Sequence, residues 1–286
     1  MSRPDPVKAR RLLELYAEAG VDEAIASAPV DWFAQAQARQ EEAPLPAGAA
    51  RAPGGQLLKE SSGPEMRQAQ RRPRPAAVAP DEAVMDARER AAAARTLEEL
   101  EAALAGFEGC PLKATAKNTC FKRGSNSARI MLIGEGPGRD EDIQGLPFVG
   151  RAGQLLDKML AAINLGEDDV YITNIVYWRP PGNRTPTPQE VQACAPFLER
   201  QIELLDPEFL VLIGGPAAQH LLSTTQGITR LRGQWRECQV GGKTWRALPI
   251  LHPAYLLRTP AAKRHAWRDM LEIEAALNET ERRRAE

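Results

Sequence analysis

The chain reads as an α/β protein: a three-layer α/β/α sandwich around a central, mainly parallel four-stranded sheet, preceded by a helical N-terminal extension. Two observations predict this. Four short apolar runs, Ala128–Ile133, Val170–Val176, Phe209–Ile213 and Trp245–Leu251, have the length and composition of buried strands. Helical patterns at Gly150–Ile163, Pro188–Leu205, Pro216–Leu222 and Ala261–Leu277 separate or follow them. Strands alternating with helices imply a parallel sheet covered on both faces. The connection before Trp245 is long enough to need an added strand or loop.

Taken in order, the first 34 residues read as helical, with Leu12, Leu13, Leu15 and Tyr16 among Lys and Arg and Gly20 placed to stop the helix. Residues 35–92 shift to Ala, Pro, Gln, Arg and Gly, and read as a flexible linker that buries too little apolar area to offset chain entropy. Its arginines, from Arg67 through Arg74, read as a solvated charge run. Residues 93–286 hold the compact domain. Thr96–Leu104 opens it as a helix with Leu97, Leu100 and Leu104 on one side. The helix from Pro188 has a clear start: Thr187 caps it, Pro188 suits its first turn and Glu190 completes a capping box.

With 286 residues, 26% charged and 43% hydrophobic, the chain can build one sizeable core plus an extension. No run of about 18 apolar residues offers a membrane span. MSRPDPVKARR lacks the apolar core of a secretory signal, so a cytoplasmic location is expected. A net charge of −1 neither advertises nor excludes nucleic acid, which needs only a local basic patch. Cys110, Cys120, Cys194 and Cys238 match no compact zinc spacing.

Parallel sheets bind ligands at the carboxyl ends of their strands, and the unusual polar residues fall there. Gly134-Glu135-Gly136-Pro137-Gly138 follows the first strand, Asn174 ends the second, Gly214-Gly215-Pro216 follows the third and His252-Pro253 the fourth. The glycine loop is neither a dinucleotide fingerprint nor a Walker loop. Phe148, between Gly145 and Gly150, is a candidate stacking platform. An Asn side chain has the donors and acceptor to read an imide edge. His220 and His265 lie in helical patterns and read as structural.

The stretches GEGPGRDEDIQGLPFVGRAGQLLDKML, YITNIVYWRPPGNRTPTPQEVQAC and LHPAYLLRTP resemble the family-4 uracil-DNA glycosylases of the uracil-DNA glycosylase superfamily, over about Phe107 to Leu277. The resemblance implies a repair enzyme that flips uracil out of DNA and hydrolyses its N-glycosidic bond, leaving an abasic site. It implies catalytic roles for Glu135, Glu141 and His252, with uracil held by Gly136, Phe148 and Asn174. DNA contacts fall to Arg184 and to Tyr255, Leu256, Leu257 and Arg258, the segment that enters the duplex. The residue types do not decide whether Glu135 or Glu141 assists the water.

That family usually carries a [4Fe–4S] cluster on four cysteines. Cys110 and Cys194 match two of the positions, but Phe107 and Trp178 stand at the others, and neither binds iron. The expectation is that no cofactor is held and that apolar packing fills the cluster's volume. Thr229-Arg230-Leu231-Arg232-Gly233 lacks the histidine of the superfamily branch that crosslinks to DNA, which favours a hydrolytic outcome. The expected partner is uracil-containing DNA, with a repair protein possible through residues 1–92 and a monomeric state. A glycosylase for another deaminated base and a non-catalytic DNA-binding protein of the same fold stand as alternatives.

Overall fold

The computed structural model describes residues 80–285. The chain runs through α1 (Pro80–Ala93), α2 (Leu97–Ala105), β1 (Arg123–Gly124), β2 (Ile130–Gly134), α3 (Arg139–Gln144), α4 (Arg151–Ala161) and β3 (Val170–Asn174). It continues through α5 (Pro188–Leu205), β4 (Phe209–Ile213), α6 (Gly215–Leu221), α7 (Ile228–Leu231), β5 (Arg236–Val240), β6 (Lys243–Ile250), α8 (Pro253–Arg258) and α9 (Lys263–Ala285). None of the described helices is long and apolar enough to cross a membrane.

The four apolar runs of the sequence are the four parallel strands, in the order β3-β2-β4-β6. Every residue of β2, β3 and β4 is buried, because helices cover both faces. Side chains alternate between those faces. Met131, Ile133, Leu210 and Leu212 meet Leu198 and Ile202 of α5 and Leu221 of α6. Ile130, Leu132, Val211 and Ile213 meet Leu156 and Leu160 of α4 and Met270 and Ile273 of α9. Each such fully buried aliphatic side chain contributes roughly 1.5–3 kcal/mol. The result is the expected three-layer α/β/α architecture.

The sheet has two strands more than expected. β1 and β5 pair antiparallel with β3 and β6 at the two edges. Neither shows a continuous apolar run: β1 is two residues long, and β5 is mostly exposed. β5 supplies the added strand before Trp245, and Gly241-Gly242, both at positive φ, turn the hairpin.

One boundary needs correction. Residues 80–92, expected as the end of the linker, belong to helix α1, where Ala83, Ala87 and Ala91 are buried. Alanines four apart form one helical face, and Ala87 and Ala91 share a cluster with Ala193 and Phe197 of α5. An alanine-rich composition looks poor in core residues, yet its small side chains let two helices approach closely. The remaining linker (35–79) and the helical segment (1–34) lie outside the described residues.

Helix α5 starts as its sequence dictates. Thr187 Oγ1 accepts from the Glu190 amide at 3.3 Å, and the Glu190 carboxylate accepts from the Thr187 amide at 2.8 Å. Thr96 caps α2, its Oγ1 accepting from the Glu99 amide at 3.2 Å, while the Glu99 carboxylate accepts from the Arg95 amide.

Candidate active site

The parallel register brings the polar strand ends together. Gly134 of β2 lies beside Asn174 of β3, and Ile213 of β4 lies beside Ile250 of β6, two residues before His252. Beyond this edge opens a cleft of about 720 Å³, lined by Glu135, Gly136, Glu141, Phe148, His252 and Arg258, among others.

Asn174 is 1% exposed at the carboxyl end of β3. A Cβ on Gly134 would lie 2.5 Å from Asn174 Oδ1 and 2.6 Å from the Phe148 ring, so only glycine lets the two converge. The Phe148 ring stacks on the His252 imidazole, with centroids 5.7 Å apart and planes 26° apart. Among the described residues, Asn174 Oδ1 is buried without a hydrogen-bond partner, an unusual state for a buried acceptor.

Phe148 is held under strain. Its φ of 55° lies in the left-handed region, which costs a bulky residue on the order of 1–3 kcal/mol. Arg123 Nη1 donates to its carbonyl oxygen at 2.9 Å, and Arg123 in turn pairs with Asp157. Gly153 makes room: a Cβ there would sit 1.8 Å from the Phe148 oxygen. Nothing in the sequence marks Arg123, which stands 25 residues from the carbonyl it holds.

His252 caps helix α8, and its Nδ1 accepts from the Ala254 amide at 3.1 Å. That bond places the proton of the neutral ring on Nε2. Burial, reinforced by the charge of Arg258 and opposed by Glu141, lowers its pKa to about 4. The ring is therefore neutral at pH 7, with one N–H to donate.

The two carboxylates differ. Glu141 accepts from the amides of Gly138 (3.1 Å), Val149 (3.0 Å) and Gly150 (2.9 Å), tying the glycine loop to the Phe148 loop. Glu135 carries no such backbone load. Burial raises its carboxyl above the usual range, against a hydrogen bond from Thr185.

One expected DNA contact, Leu256, is corrected, and a second, Arg184, is engaged within the protein. Residues 253–258 form a helix, so neighbours point about 100° apart. Leu256 is 1% exposed and packs with Leu251, Ala262 and Ala266, while Tyr255 (37%) and Leu257 (38%) face outward. Leu256 is thus an anchor and not a wedge. Arg184 lines the cleft, but its two terminal nitrogens bond Glu190 at 2.8 and 2.6 Å, which makes it a brace on the α5 capping box. Arg139, Asp140, Arg151 and Thr185 also line the cleft. Arg139 and Arg151 are the first residues of α3 and α4, and a single arginine at a helix start has no distinctive spacing in the sequence.

The cysteine positions form a separate apolar cluster with Phe107, Phe121, Trp178 and Phe197. Cys110 and Cys194 lie with their sulfurs 3.8 Å apart. Phe107 is fully buried against Phe197 at 5.2 Å, and Trp178 donates its Nε1–H to Thr119 Oγ1 at 3.0 Å. Cys120 and Cys238 point at backbone carbonyls elsewhere, those of Glu141 and Leu221. Two thiols and two aromatic rings do not fit a cluster that takes four thiolates.

Residues 121–271 match the Uracil DNA glycosylase superfamily, which fixes the class. A type-4 uracil-DNA glycosylase of Archaeoglobus fulgidus is 40% identical over 184 residues, covering 62% of this chain and 92% of that protein. One from Thermotoga maritima is 44% identical over 153 residues, 52% of this chain and 77% of that protein. A Bacillus phage SP01 DNA polymerase is 35% identical over 158 residues, 55% of this chain but 16% of its own length. The chain belongs to the type-4 branch of the uracil-DNA glycosylase superfamily.

Proposed function

We propose that this chain excises uracil from DNA by hydrolysing the N-glycosidic bond, leaving an abasic site. The observation that carries the reading is the buried Asn174 Oδ1, unpartnered among the described residues, which converges with the Phe148 ring at Gly134, while Phe148 stacks on the neutral imidazole of His252. An apolar wall, one unpaired acceptor and one N–H donor match a planar imide.

The extruded base stacks on Phe148. Asn174 Oδ1 accepts from uracil N3–H, and its amide N–H donates to O4. Cytosine has neither the N3 proton nor O4, and leaves buried polar groups mismatched, which discriminates strongly. As the glycosidic bond breaks, negative charge collects on the base. His252 Nε2–H donates to O2 and stabilises that charge, as an oxyanion donor does. The water that attacks the cationic sugar is held by Glu135, whose lone pairs carry no backbone load. Glu141 acts through its neighbours as a positioning residue. Tyr255 and Leu257 supply apolar bulk for the gap left in the stack, and Arg258 takes a phosphate.

We infer further that the chain works without an iron–sulfur cluster, its volume taken by Phe107 and Trp178. Incubation with labelled single- and double-stranded oligonucleotides holding uracil, hypoxanthine or xanthine, followed by alkali cleavage, tests the activity. Cleavage at uracil is expected; no product from any uracil strand overturns the reading.

A further inference from the structure

We propose that the first two turns of α9 extend the nucleic-acid surface beyond the cleft, with Trp267 as a platform on which an unpaired flanking base stacks. The proposal rests on the uracil-excision reading, because that reading brings a DNA strand to the adjacent segment.

Trp267 is 46% exposed and Leu271 41%. An indole left half in water forgoes one of the larger gains that burial offers. At about 100° per residue, Trp267 and Leu271 share one stripe of the helix, and Lys263, Arg264 and Arg268 fall within about 100° of Trp267. All three cations are exposed, and none of them forms an ion pair among the described residues. The local carboxylate, Asp269, is 1% exposed and already paired with Arg232. Glu272, one turn beyond Arg268, and Glu274 are the next carboxylates, and neither pairs with these cations among the described residues. Arg230 of α7 is exposed as well. Desolvation, then the charges of Arg232, Arg264 and Arg268, holds His265 below the ordinary histidine range, as expected in a local positive field.

The surface is continuous with the proposed DNA-contacting segment. Leu256 of α8 packs with Ala262, just before α9, and with Ala266 in its first turn. Tyr255, Leu257 and Arg258 are thus carried on the same packed corner as Lys263 and Trp267. Cations set around one flat exposed aromatic ring suit a polyanion that also presents π faces. Stacking a base on such a ring is worth about 1–3 kcal/mol, or roughly five- to 150-fold in affinity. An unpaired base is required, so the flank is single-stranded.

The test uses the full chain and uracil-containing single strands of two lengths, a pentanucleotide and a strand of about 25 nucleotides. Trp267→Ala is expected to raise KM on the long strand about tenfold, with kcat unchanged and the pentanucleotide unaffected; Trp267→Phe restores most of the loss. Quenching of tryptophan fluorescence by a long uracil-free strand should weaken in Trp267→Ala. Unchanged KM and quenching, or equal losses on both lengths, overturn the proposal. So does a loss confined to duplex substrate. If the unaltered protein excises nothing, the activity reading fails, while the uracil-free quenching assay still decides this one.

Discussion

His252→Ala removes three things at once: the acceptor that caps α8, the imidazole face against Phe148, and the Nε2–H proposed to face the departing base. Their effects separate by assay. Loss of the 3.1 Å cap to Ala254 destabilises the fold by roughly 1 kcal/mol. Loss of a donor to developing negative charge slows the chemical step by about 10²–10³. DNA affinity, set by phosphate contacts outside the pocket, should change little. Single-turnover excision, anisotropy with a uracil strand and thermal melting measure the three. His252→Asn keeps a side-chain acceptor at the cap position, two residues before the same Ala254 amide, so it should recover stability without recovering rate. Equal losses in excision and in binding, or full activity in His252→Asn, would refute the assigned role.

Four further outcomes follow. The pKa of His252 falls from 6.5 to about 4 in the fold, so between these values the unfolded chain takes up a proton that the folded chain refuses. Stability is therefore lost as pH falls through this window, by about 3 kcal/mol in all; His252→Asn should flatten the acid side of a urea-denaturation series. Glu135→Gln should lower the excision rate by about 10²–10⁴. The acid limb of kcat/KM in the unaltered protein should lie above the ordinary 4.5, because burial raises this carboxyl and the base acts only when ionised; the Gln variant should lose that limb. Gly153→Ala forces a Cβ to within 1.8 Å of the Phe148 oxygen, so it should destabilise by about 1–3 kcal/mol and raise KM for uracil strands, read by denaturation and kinetics. Anaerobically purified protein should show no stoichiometric iron and no absorbance near 400 nm, and a full complement would contradict the packing argument.

The parts of this molecule legible in the sequence are those governed by local pattern. Phe209–Ile213 and Pro188–Leu205 match their predicted limits because continuous apolarity marks a strand covered on both sides, and Thr187, Pro188 and Glu190 announce a helix start. The strand-end rule and the family motifs pointed to Asn174, Phe148 and His252; in the structure Phe148 stacks on His252, and Asn174 and Phe148 meet at Gly134. Other features were hidden because they depend on contacts between distant segments. Helix α1 buries only alanines, whose spacing is a weaker signal than their composition. Leu256 and Leu257 are chemically alike, and only the helical turn of α8 sends one inward and its neighbour out. Glu135 and Glu141 look equivalent as letters, and the three amides bonded to Glu141 separate them.

Behind the sheet, the Gln201 side chain of α5 has a further consequence. Its Nε2 donates to the Tyr171 hydroxyl at 2.6 Å and to the Phe121 carbonyl at 3.3 Å, while its Oε1 accepts from Tyr177 at 3.0 Å and Thr173 at 3.3 Å. Thr173 immediately precedes Asn174, so one helix side chain holds the strand end that carries that buried amide. Selectivity for the bound ring can therefore drift through substitutions that never touch it, whereas exchanges at the mouth of the cleft leave the underlying frame intact.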